Sequence, residues 1–449
     1  MRDRPSATPP LRVRAPRALR EFILAPLLVV WALLLLAVAS IVGDQAHGAF
    51  FTGLRRVLEH FIGAQTASST LGAIATGLVT VTSITFSVLL LAVQQTASNL
   101  SPVVFDQFVR RRSNQVYLGL FVGLALFSYI VTAAVQPKTP PIIGAFIATV
   151  LTVGALGCLL FLIYSTIDQM RPDNVIRHLH DRAVLAHDRE TELIRRTRRT
   201  SRSELPVRAH YRSETFGYVE SIDVDRIAAA LDDHDAGALV EVELRVSVGQ
   251  EITVGDLIAQ VRHCDPQAAA ALCSSLAKAV PISPTPDLDY DPRTALRNIS
   301  NIAWTSGSTA KQNPSVAAQG LQALRDLASR WLAEGDRSGP DPLPIVYPDG
   351  DVELILDAMY SGVVAAHESR QHQQATQVVK AYQFLWPRAN PRAQRRIRRD
   401  VAAMQQLLDQ MPPSPNLSSE RRTLAELVRV TEPAVGTEGA ARETSGLRR

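Results

Sequence analysis

Cysteine is nearly absent: Cys158, Cys264 and Cys273 are the three in 449 residues. Their spacing fits no metal-ligand motif, and so few thiols exclude a disulfide framework. A strong charge of one sign is lacking too. The formal net charge is +4, and with no long basic face the composition offers no case for nucleic acid. One absence is local. From Leu71 to Val93 there is no Asp, Glu, Lys or Arg, and at about 1.5 Å rise per residue that run can cross a hydrocarbon core of roughly 30 Å.

What is present is a set of four apolar runs, at residues 22–42, 71–93, 116–135 and 142–164. They predict four transmembrane helices. The first has a basic start and an Ala37-Val38-Ala39 that fits a signal cleavage site, but its apolar length and the spans that follow favour a retained anchor. Six arginines lie in residues 1–20, Arg110, Arg111 and Arg112 follow the second run, and Arg171, Arg177 and Arg182 follow the fourth. The two alternate loops hold only Arg55, Arg56 and Lys138. This bias predicts a multi-pass protein of the cytoplasmic membrane with both termini in the cytoplasm.

The second run is rich in hydroxyls. At about 100° per residue, Thr76, Thr80, Ser83, Ser87 and Gln94 fall in one narrow stripe, with Ser69 joining it, Leu90 and Leu91 interrupting it near the inner end, and Thr82 and Thr85 on the other side. Such a stripe serves close helix packing, or it lines a water-filled path or the axis of a homo-oligomer. The missing intramembrane acid or base favours packing. Phe50, Phe51, Leu54, Val57, Leu58, Phe61 and Ile62 form one face of a short amphipathic helix after the first span. Ser101-Pro102 opens another before Arg110, Arg111 and Arg112, which are candidate lipid-headgroup contacts. Gly119 and Gly123, and again Gly154 and Cys158, have the small-xxx-small spacing of close helix contacts.

Beyond the spans, residues 165–215 predict a connecting helix broken near Pro172, followed by linker. Residues 216–262 predict a small hammerhead-like β module, whose glycines supply positive φ in turns. Lipoyl and biotinyl carriers share that punctuation but need a lysine at a hairpin tip, and Arg202 to Ala277 contains none. Residues 263–430 predict an α-helical bundle, in which Pro314 opens a helix after a polar loop. Ser308, Thr309, Lys311 and Asn313 in that loop are a candidate anion site, although the GKS or GKT ending of a phosphate loop is missing. His178 and His180 are two apart, His367 and His372 five apart, so neither pair has metal-ligand spacing. Arg392 to Arg399 forms a basic stripe suited to anionic lipid or an acidic partner. Residues 1–21 and 431–449 have the composition of disordered tails.

Three stretches together carry a family resemblance: SITFSVLLLAVQQTASNLSPVVFDQFVRRRSNQVYLGLFVG, then FGYVESIDVDRIAAAL with VSVGQEITVGDLIAQV, then the helix pair DPRTALRNISNIAWTSGSTAKQNPSVAAQGLQALRDLASRWL. On these the chain resembles the bacterial family of predicted membrane proteins filed as domain of unknown function 2254. Many relatives carry SPGINDP where this chain has GSTAKQNP from Gly307 to Pro314, so Asn313 replaces an aspartate. The resemblance implies an integral membrane protein with a cytoplasmic domain and no catalytic activity. The residues themselves assemble no nucleophile, base and orienting group. The expectation is therefore a mainly α integral membrane protein of four transmembrane helices with a cytoplasmic β module and helical bundle, without cofactor or metal. Its role is channel- or transporter-like, or that of a membrane-anchored scaffold or sensor for an unknown cytoplasmic partner or ligand.

Overall fold

A computed structural model describes residues 17–46, 49–59, 61–63, 66–99, 112–134, 140–169, 171–201, 204–234, 240–263, 265–284, 291–308, 314–334 and 339–430. The chain divides into two units, Met1–Arg171 and Pro172–Arg449. The first consists of α1 (Arg17–Gln45), α2 (Ala49–Leu58), α3 (Ala67–Asn99), α4 (Arg112–Ala133) and α5 (Ile142–Gln169). Four of them contain segments long and apolar enough to span a membrane: Leu24–Gln45, Ala67–Leu91, Ser113–Ala133 and Ile142–Asp168.

Helix α4 is the central one, packed against α1, α3 and α5. Phe121, Leu124, Phe127 and Val131 are buried along it. Gly119 and Gly123 explain how α1 comes so close. A Cβ at Gly119 would lie 2.7 Å from the Pro26 carbonyl oxygen, and one at Gly123 would lie 2.7 Å from Leu33 Cδ1 and 3.2 Å from Val30 Cα. Absent side chains there let dispersion contacts form backbone to backbone, the main attraction available between helices in lipid. The other small-residue pair behaves differently, since a Cβ at Gly154 would meet nothing within 4 Å. The predicted face of α2 is shared only in part: Leu58 is buried with Ile142 and Ile143, while Leu54, Val57 and Phe61 stay exposed.

The second unit begins with α6 (Pro172–Arg196), a separate helix whose first residue is the proline that breaks the chain. Its sheet has order β1-β5-β3-β7, with β1 (Val207–Arg212), β5 (Leu257–Arg262), β3 (Glu241–Leu244) and β7 (Ile345–Val346). The first three pair antiparallel and β7 joins β3 in parallel. A second sheet orders β4 (Glu251–Ile252), β2 (Gly217–Val219) and β6 (Ile282–Ser283). The β module thus extends beyond residues 216–262. It takes β1 from the predicted linker and β6 and β7 from the predicted helical region. The turn glycines behave as expected, with φ of +74° at Gly249 and +92° at Gly255. Helices α7 (Val224–His234) and α8 (Pro266–Ala279) contribute Ile227, Leu231, Leu272 and Leu276 to the apolar core over Val242, Leu244, Ile258 and Val261.

The helical bundle comprises α9 (Pro292–Ser308), α10 (Pro314–Ala333), α11 (Asp351–Glu368), α12 (His372–Leu385), α13 (Pro391–Asp409) and α14 (Pro415–Val430). Prolines open α6, α8, α9, α10, α13 and α14. Proline fits the first helical position because its missing N–H is not needed there. Asp265, Asp291 and Asn390 precede three of these prolines and accept backbone N–H bonds from Gln267, Arg293 and Ala393. Gly320 of α10 lets α9 approach, since its Cβ would lie 2.8 Å from that of Ala303.

Candidate functional site

The hydroxyl stripe of α3 turns away from the rest of its own unit. Thr76, Thr80, Ser83, Ser87 and Gln94 are all exposed, whereas Leu71, Ala75, Leu78 and Leu89 are buried on the other side. Thr80 Oγ1 donates to the Thr76 carbonyl at 2.9 Å, and Ser87 Oγ to the Ser83 carbonyl at 2.7 Å. The stripe covers a rise of about 27 Å, close to the thickness of the hydrocarbon core. The outward faces of α1 and α5 contrast with it. They present Leu24, Leu28, Trp31 and Leu35, and Val150, Val153, Leu160 and Phe161.

Other residues singled out by sequence disperse. Arg110 and Arg111, the side chain of Arg112, and Thr309, Lys311 and Asn313 lie outside the described residues. Ser308 ends α9 and donates Oγ to the Thr305 carbonyl at 3.2 Å. His180 pairs with Asp326 at 2.9 Å. His367 and His372 stand on different helices, either side of a turn in which Arg370 has φ +55°. The basic stripe is neutralised in part: Arg392 pairs with Glu353 at 2.6 Å and Arg396 pairs with Asp357 and with Asp400 at 2.8 Å, while the Arg398 guanidinium stands 5.5 Å from the Trp386 ring centre.

Buried acids in both units escaped the sequence reading. Asp44, at the end of α1, accepts the backbone N–H groups of Ile143 at 2.9 Å and Gly144 at 3.1 Å. It caps the first turn of α5, which explains its burial. Glu190 and Asp351 belong to a buried polar cluster in the second unit. The apolar stripe of α6 runs Ile176, Leu179, Ala183, His187, Glu190, Ile194, so that two polar residues occupy core positions. His187 Nδ1 lies 3.2 Å from Asp351 Oδ2, and its Nε2 lies 3.5 Å from Glu334 Oε2. Trp331 stacks on the imidazole with ring centres 4.0 Å apart. Arg293 Nε is 3.3 Å from Asp351 Oδ1. The Tyr347 hydroxyl donates to Glu190 Oε1 and accepts the Val248 N–H at 3.1 Å.

These contacts divide the two central carboxyls. Burial, reinforced by the neighbouring Asp351, pushes Glu190 well above the ordinary carboxyl range. Burial also opposes ionisation of Asp351, but the His187 hydrogen bond and the Arg293 charge outweigh it and hold that carboxyl below its usual value. Burial drives the Tyr347 phenol well up, which keeps it a donor. The cluster joins the middle of α6, the first turns of α9 and α11, the end of α10 and the strand-end Tyr347. Residues so far apart in sequence leave no local motif. The readable signal was two polar residues on an otherwise apolar helical stripe.

Between α6 and α10 lies an open groove of about 420 Å³ lined by Arg177, His180, Arg325, Asp326 and Phe384, with both charge signs and no uniform field. Among the described residues, the α3 stripe and the His187 cluster are two polar arrangements that neither cap a helix nor merely pair surface charges. No curated protein and no solved structure matches the chain. A family model described as predicted membrane protein (DUF2254) matches residues 20–381, spanning the four apolar helices, the sheets and the α9–α12 bundle. On that match the chain belongs to the DUF2254 family of predicted membrane proteins.

Proposed function

We propose that the protein is a channel-like, non-enzymatic membrane protein that assembles as a homo-oligomer, with the hydroxyl stripe of α3 lining the path between copies. The observation that carries this reading is the outward, full-depth run of Thr76, Thr80, Ser83, Ser87 and Gln94. A path inside one copy has no room, because α4 fills the middle of the unit with Phe121, Leu124 and Phe127. A seam between copies can use the stripe in two ways. Small side chains permit close approach, and hydroxyls whose protons bond to their own helix keep oxygen lone pairs for a passing ion. In this reading both termini and the C-terminal unit are cytoplasmic, as the arginine distribution supports.

The test is ion flux in liposomes, together with disulfide cross-linking through Ser87→Cys in a background where Cys158, Cys264 and Cys273 are replaced. Wild type should pass ions, Thr80→Val with Ser83→Ala should reduce the flux about tenfold, and Ser87→Cys should cross-link between copies. Absent flux, or flux indifferent to the double substitution, rejects the path. The buried His187 cluster favours a second reading, a membrane-anchored sensor without transport. Cross-linking without flux would select it.

A further inference from the structure

We propose that His187, Glu190 and Asp351 form a site for one divalent transition-metal ion of the Zn²⁺ or Mn²⁺ class. The inference is independent of whether α3 conducts. One imidazole nitrogen and two carboxylates are a donor set that suits these ions. Their ligand atoms already lie within 4.8 Å of one another, and all three residues are buried. Ligands about 2.0–2.2 Å from one ion sit roughly 3.3–3.6 Å apart, so small side-chain shifts close the site.

A second observation points to a missing positive charge. Glu190 is 7% exposed, and its buried Oε2 meets no hydrogen-bond donor among the described residues, with the Asp351 carboxyl as its neighbour. Leaving a buried carboxylate oxygen unmatched is costly, so a cation or a proton has to meet it. The surroundings favour a metal. Glu334 faces His187 Nε2 at 3.5 Å and Asp351 Oδ2 faces Nδ1 at 3.2 Å, so a carboxylate on one nitrogen orients the ring while the other nitrogen ligates. The Trp331 stack holds the ring plane. Arg293 Nε lies 3.3 Å from Asp351 Oδ1, and Oδ2 is on the His187 side. Charge closes as well: carboxylates at Glu190, Asp351 and Glu334 balance the Arg293 guanidinium plus one divalent ion.

The experiment uses the full-length protein in detergent, stripped with chelator and then supplied with Zn²⁺ or Mn²⁺ alone. Bound metal per chain and thermal unfolding are read for wild type, His187→Gln, Glu190→Gln and His180→Gln. Wild type and His180→Gln should each take up one ion and unfold at higher temperature with it. Glu190→Gln should bind about tenfold or more weakly and lose the shift. The amide is the same size as the carboxyl, so this variant keeps the test open if His187→Gln fails to fold. Wild type that retains no ion, or Glu190→Gln that binds as well as wild type, overturns the proposal. Metal-free Glu190→Gln as stable as wild type, with no metal response in either, would assign the bare oxygen to a proton instead.

Discussion

The two units satisfy their polar side chains in opposite ways. In the membrane unit many hydroxyls bond one turn back along their own helix: Thr80 to Thr76, Ser87 to Ser83, Thr132 to Ser128, Thr149 to Ala145, Thr152 to Ala148 and Thr166 to Leu162. In the C-terminal unit buried and part-buried groups reach across the chain, with His187 to Asp351, Tyr347 to Glu190, Arg199 to Asp349 and Tyr382 to Asp400. A self-satisfied hydroxyl says nothing about which helix lies beside it, so shape must choose the neighbours in the membrane. A cross-chain pair specifies its neighbour but leaves a stranded group when either partner goes. Asp44 is an exception, a membrane-unit acid bonded 99 residues away.

The largest expected effect is in the buried cluster. Asp351→Ala strips His187 and Arg293 of their shared partner and should cost about 3–5 kcal/mol in the metal-free protein, read by denaturant unfolding. A loss under about 1 kcal/mol would mean that the cluster is hydrated and the contrast overstated. Next comes shape in the membrane. Gly119→Val drives a side chain into Pro26 and should cost about 1–3 kcal/mol, while Gly154→Val, with open space around it, should change stability by less than about 0.5 kcal/mol. Equal effects at the two glycines would remove the argument that close approach to α1 selects the helix order.

That asymmetry also shows what could be read in advance. The four spans follow from uninterrupted apolar runs, because the cost of burying charge in lipid leaves composition little freedom. The position of the stripe on α3 was legible from helical period alone. Which way it faced was not, since period locates a face without naming what covers it. Strand β1 was missed although VRAHYR alternates: Val207, Ala209 and Tyr211 are half-buried between exposed Arg208, His210 and Arg212. The three basic side chains masked the period-2 signal of a half-buried strand. Of the His187 cluster only the two intrusions in the α6 stripe were visible. Its remaining members meet through chain topology, which short-range spacing does not encode.

The smallest predicted effect sharpens the comparison from the exposed side. Asp326 binds His180 at 2.9 Å and Arg330 at 2.7 Å, but its side chain is 47% exposed. Partial burial opposes its ionisation, yet the bonds from Arg330 and His180 outweigh that and hold the carboxyl below its ordinary value. A carboxyl depressed in the fold contributes stability that is present above its unfolded pKa of about 3.9 and is lost as pH falls through the lower folded value. Water screens so open a site, and the contribution should be less than about 0.5 kcal/mol. Wild type and Asp326→Asn are compared by unfolding midpoint from about pH 6 down to about pH 3, the difference between them cancelling the general effect of acid. The gap should be small at the upper end and shrink toward the lower. A gap of several kcal/mol, or one that grows on acidification, would place this surface pair in the same class as the buried network and dissolve the distinction between them.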